Sequence, residues 1–64
     1  MAEHPSPEYL RKVRNDIANY RDIAKGLEAE IRRYQQRGDE SSARSMREEL
    51  RRTQQMIENL ESQL

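Results

Sequence analysis

Two apolar stripes, mirrored across Gly38, constrain this chain more than any other feature. The first is Leu10, Val13, Ile17, Tyr20, Ala24, Leu27, Ile31 and Tyr34; the second is Ala43, Met46, Leu50, Thr53, Ile57, Leu60 and Leu64. Both advance by alternating steps of three and four residues, the a and d spacing of a coiled-coil seam. Each segment is therefore predicted to be a helix with one narrow apolar face. Taken in opposite directions, the stripes pair residue by residue: Tyr34 with Ala43, Ile31 with Met46, Leu27 with Leu50, Ala24 with Thr53, and onward to Val13 with Leu64. In every pair an a position meets a d position, as antiparallel knobs-into-holes packing requires. A single unbroken helix does not serve, because the nine-residue step from Tyr34 to Ala43 breaks the alternation. The expected fold is all-α: a two-helix antiparallel coiled-coil hairpin, dimerising into a four-helix bundle.

Local signals set the boundaries. Residues 1–6 offer no apolar anchor and are expected to be a disordered lead. Ser6, Pro7 and Glu8 read as a cap, a first helical residue and a dipole-complementing acid, so the first helix is expected over 7–36. Residues 37–39 form the turn: Gly38 suits the left-handed position past a helix end, and Asp39 can cap the helix expected over 40–64. Gly26 falls at an outward c position, where it costs about 1 kcal/mol relative to alanine without breaking the helix. Arg11, Lys12 and Arg14 at one helix start, and Glu58 and Glu61 at the other helix's end, both oppose the helix dipole. Folding back sets the two groups side by side, where they offset each other.

Bulk properties exclude several function classes. The chain has 64 residues, of which 33% are hydrophobic and 38% charged, a balance that without the stripes would imply disorder. Its formal net charge is zero, so no global field draws it to nucleic acid or anionic lipid. It contains no cysteine, hence no disulfide, thiolate nucleophile or zinc–cysteine site. No apolar run approaches the roughly 18 residues of a membrane span and no signal-peptide core is seen, so a soluble, cytoplasmic protein with no membrane partner is expected.

The two edges of the seam differ. On the e edge the register sets Arg14 against Glu61, Arg21 against Gln54 and Glu28 against Arg47, a solvated and mostly complementary side. The g edge sets Asp16 against Gln63, Ile23 against Met56 and Glu30 against Glu49. Ile23 and Met56 lie outside the seam, opposite each other and beside its thinnest layer, Ala24 against Thr53. A two-helix seam buries its residues only in part, while ordering each residue costs about 1.5 kcal/mol, so a lone hairpin is marginal. Ile23, Ala24, Thr53 and Met56 are accordingly expected to carry self-association into a homodimer. Tyr9 and Leu10 overhang the second helix as an apolar tip and are expected to cover the bundle end.

Candidates for chemistry are sparse. His4 is the only histidine and has no neighbouring ligand. Arg37-Gly38-Asp39 spells an integrin-binding tripeptide, but reads first as a helix-ending glycine and a cap. Glu30 and Glu49, doubled in a dimer, would make a carboxylate cluster, yet the Glu-x-x-His pairs of di-metal bundles do not occur. Tyr20 and Tyr34 occupy d positions and read as core. No catalytic residue, cofactor or metal is expected, and the chain is read as no enzyme. Arg32, Arg33, Arg44, Arg51 and Arg52 occupy outward positions and could bind phosphates or a partner. Glutamates interleave them, with Glu28–Arg32, Glu48–Arg52 and Glu40–Arg44 at stabilising spacing, and no aromatic lies among them to stack a base. A salt-bridged solvated face is the favoured reading of that strip.

Two family resemblances bear on function. In length and hairpin architecture the chain resembles the Rop family of small plasmid RNA-binding proteins, which are dimers of helical hairpins. Gly38-Asp39-Glu40-Ser41, followed by Met46, Ile57 and Leu60-Glu61, resembles the coiled-coil hairpin of Gre transcript-cleavage factors. In that family the hairpin enters an RNA polymerase channel and two tip acids hold a catalytic metal. Asp39 matches the first acid, whereas the second position is Ser42, and the family's globular domain has no counterpart here. The expected function is a non-enzymatic protein–protein interaction module: a small self-associating regulator, adaptor or assembly factor that binds itself and another protein. An RNA- or DNA-binding hairpin dimer is the alternative, and a polymerase-channel hairpin acting through Asp39 and Glu40 is the third.

Overall fold

The computed structural model describes residues 5–64; His4 and most of the expected lead lie outside the described residues. Two helices, α1 (Pro7–Gln36) and α2 (Glu40–Glu61), pack against each other as a hairpin. Its Cα envelope measures 54 × 18 × 9 Å. Its radius of gyration, 15.5 Å, exceeds the roughly 11 Å of a globular chain of this length.

The start of α1 forms as its residues dictate. The Ser6 side chain accepts from the Tyr9 backbone N–H at 3.1 Å, satisfying one orphan donor, and Pro7 fills the first helical position. At the other end Gly38 turns left-handed, with φ 76°. Its N–H donates to the Gln35 carbonyl at 3.0 Å, and the Asp39 N–H donates to the Tyr34 carbonyl at 2.8 Å. This pair of bonds is a Schellman motif, and it consumes carbonyls that α1 would otherwise leave open. Asp39 then serves a second role as the N-cap of α2, accepting from the Ser42 backbone N–H at 3.1 Å. One helix ends and the next begins within three residues, which forces the antiparallel hairpin.

Burial follows the stripes. Val13, Ile17, Ile31, Ala43 and Thr53 are buried, and Leu10, Tyr20, Ala24, Leu27, Tyr34, Met46, Leu50, Ile57 and Leu60 are half-buried. Leu64 departs from the expected seam. The helix expected to run to residue 64 closes at Glu61, where Gln63 and Leu64 donate to the Leu60 and Glu61 carbonyls, three residues back, at 3.0 Å. The tightened turn leaves Leu64 exposed instead of opposite Val13. It also brings Gln63 within reach of Tyr9, whose hydroxyl donates to the Gln63 Oε1. The apolar tip expected of Tyr9 and Leu10 is thus tied across to the end of the second helix, with Leu10 half-buried.

Candidate functional site

The burial pattern divides the hairpin into two broad faces, one built on g and c positions and the other on e and b positions. On the first, Ile23 is 51% exposed and Met56 is 44% exposed. Among the described residues few large apolar side chains are so open, and the sequence register sets these two opposite each other. Beneath them lies the thin layer: Ala24 is half-buried and Thr53 is buried. The Thr53 hydroxyl donates to the Glu49 carbonyl at 2.9 Å, so its polarity is satisfied inside its own helix. Of the four residues expected to carry self-association, Ile23 and Met56 are thus exposed, Ala24 is half-buried and Thr53 is buried. Glu49, which the register sets against Glu30, has the Arg52 guanidinium at 3.8 Å, a cation that offsets the repulsion between the two carboxylates.

The arginines are not one strip. Arg33 and Arg52 sit at c positions on the Ile23 and Met56 face. Arg32, Arg44 and Arg51 sit at b positions on the opposite face, and all five are exposed. Of the expected spacing-based pairs, Glu48–Arg52 and Glu40–Arg44 give way to Arg52–Glu49 and Arg47–Glu40, each at 3.8 Å, and Glu28–Arg32 does not form. Among the described residues, Arg32, Arg33, Arg44 and Arg51 make no ion pair.

The e edge also pairs differently from the expected register. Arg21, not Arg14, reaches Glu61, at 2.6 Å. Side chains on a helix lean toward its N-terminus. In an antiparallel pair, Arg21 therefore leans away from the turn and Glu61 leans toward it. The two tips converge although their Cα atoms are offset. The pair still offsets the dipole-opposing carboxylate at the end of α2.

At the turn, Asp39 is fully engaged. Its Oδ1 caps α2 and its Oδ2 accepts from the Ser42 hydroxyl at 2.7 Å. These two bonds, the hydroxyl's first, hold its carboxyl below the usual value; slight desolvation opposes them and Arg37 adds to them. Glu40 faces Arg47. Ser42 thus engages both carboxylate oxygens of Asp39. Among the described residues no three His, Cys, Asp or Glu side chains converge as metal ligands. A shallow depression of about 60 Å³ near the turn, lined by Glu30, Arg33, Tyr34 and Arg37, is far below the roughly 300 Å³ of small-molecule pockets.

No family model matches the chain, and no curated protein or solved structure matches it significantly. No helix among the described residues is long and apolar enough to cross a membrane. The surfaces themselves carry the functional reading.

Proposed function

We propose that this chain is a non-enzymatic interaction module that self-associates into a four-helix bundle through its Ile23 and Met56 face and works as a regulator, adaptor or assembly factor. The exposure of both Ile23 and Met56, which the sequence register sets opposite each other beside the thin Ala24 and Thr53 layer, is the observation that carries this reading. Area supports it. The chain exposes 5253 Å², whereas a compact folded chain of this mass exposes about 4,300 Å². The surplus is close to the roughly 800 Å² that each partner buries in a standard interface.

Sedimentation across a broad concentration range tests the proposal. The wild type should hold at twice the chain mass, and Ile23→Glu/Met56→Glu should fall to monomer or unfold. A folded wild-type monomer at every concentration refutes it.

A second reading, binding of RNA or DNA, is favoured by one observation: the b-position arginines lack carboxylate partners among the described residues. Phosphate contacts by such cations give affinity that falls steeply with salt. The polymerase-channel reading has no comparable support, since Asp39 is spent on capping.

A further inference from the structure

Gly26 has no function inside the hairpin. It lies within α1 in ordinary helical backbone, since Gly38 alone has positive φ among the glycines, and a Cβ added to it meets nothing within 4 Å. A glycine there weakens the helix, yet no neighbour in the chain needs the space. It stands one turn from exposed Ile23 on the same face. That face of α1 continues as Asp16, Asn19, Ile23, Gly26, Glu30 and Arg33, again in steps of three and four. This outward face is mostly polar, with Ile23 its one large apolar residue and Gly26 the one position without a side chain.

Resting on the self-association proposed above, we infer that the second copy docks with its turn at the opposite end, α1 on α1 and α2 on α2, each Ile23 seated over the other copy's Gly26. A twofold axis crossing α1 midway between Ile23 and Gly26 matches every g position with a c position, as antiparallel packing requires. Asp16 then meets Arg33 of the second copy, and Glu30 meets Asn19. The hairpin register sets the same axis on α2 between Arg52 and Met56. There Met56 lies along the stem of the second copy's Arg52, and Glu49 meets Asn59. One axis thus gives each g-position carboxylate, Asp16, Glu30 and Glu49, a cation or an amide. The other twofold arrangement, with both turns at one end, lays α1 on α2. It brings Glu30 and Glu49 of both copies to a single level, four carboxylates with one paired cation per copy, Arg52 beside Glu49, which is the less favourable charge arrangement.

Cysteine pairing discriminates the two, and the native chain has no cysteine to interfere. Asp16→Cys and Arg33→Cys chains, refolded together and oxidised, should form the mixed disulfide. Neither should cross-link to itself, because the like positions lie about 25 Å apart along the axis at 1.5 Å per residue. Gly26→Leu should raise the dimer dissociation constant by roughly tenfold or more, since the added side chain occupies the seat of Ile23. A mixed disulfide between Asp16→Cys and Gln63→Cys chains instead overturns the inference in favour of turns at one end. A dimer by sedimentation that gives neither disulfide overturns it while leaving self-association standing. A wild-type monomer overturns both.

Discussion

Replacing Gly26 with alanine should have opposite consequences for the hairpin and for the dimer. Within one chain the added methyl meets nothing within 4 Å and needs no change of backbone. Only the unfolded state is affected, since alanine has fewer conformations to lose, and the folded hairpin gains about 1 kcal/mol. For a 64-residue chain, unfolding entropy of about 2.1 cal/mol/K per residue converts that gain into a rise of roughly 7 °C in Tm. Thermal melts followed by far-ultraviolet circular dichroism measure it. At the lowest workable concentration, where association adds least to stability, the largest rise should appear. At high concentration the methyl stands under the second copy's Ile23, so the rise should shrink or reverse. A lower Tm at low concentration refutes the outward placement of Gly26. An equal rise at every concentration, in wild-type chains that sediment as dimers, removes Gly26 from the interface.

Other substitutions probe the elements that make the hairpin. Gly38→Ala forces a side chain onto φ 76° and should cost about 1 kcal/mol, read as a lowered denaturant midpoint. Thr53→Val removes a hydroxyl whose bond is made only within its own helix, and should add about 0.5–1 kcal/mol of stability through the buried methyl, read as a raised midpoint. Asp39→Ala should lower the midpoint at neutral pH and also flatten its acid dependence. Because hydrogen bonds from Ser42 hold the Asp39 carboxyl below the usual carboxylate range, its contribution is present above that range and is lost as pH falls through the lower folded value. An acid limb unchanged in Asp39→Ala would show that other carboxylates account for it. Replacing Arg32, Arg44 and Arg51 with glutamine should leave folding within about 0.5 kcal/mol. Any nucleic-acid affinity with a steep salt slope should disappear with them, and an affinity that survives unchanged assigns binding elsewhere.

The seam was legible because apolar residues at helical spacing have no other economical use in a chain this charged. Ser6, Gly38 and Asp39 were legible for a related reason: each supplies a conformation or an acceptor that its neighbours at a helix end lack. Charge pairing was not. The sequence register indicates which Cα atoms stand level, but Arg21 and Glu61 meet through long side chains that lean in opposite directions along the hairpin. Spacing alone likewise paired Arg44 with Glu40, whereas Arg47 from the next turn reaches that acid. Leu64 failed as a seam residue because the stripe continues past the point where three-residue-back hydrogen bonds end the helix. Apolar period shows where a residue would pack if helical, and does not by itself keep the last turn helical.

The division of the arginines changes what nucleic-acid binding would look like. Burying the Ile23 and Met56 faces against each other leaves the e and b faces of the two copies on opposite outer sides of the bundle. Arg32, Arg44 and Arg51 of one copy then point away from those of the other. Arg33 and Arg52, which the linear sequence groups with them, would lie at the interface, Arg33 against Asp16 and Arg52 along Met56. A four-helix bundle is about two helix diameters thick, roughly 20 Å, so one straight duplex touches the arginines of only one copy. Binding through this face should therefore saturate at one duplex per chain, and dimerisation should not add a second set of contacts to the same duplex. Titration calorimetry on the dimer reads that ratio directly. A single duplex per dimer, with affinity that drops when the Ile23 and Met56 face is disrupted, is incompatible with this arrangement and would place nucleic acid along the interface edge instead.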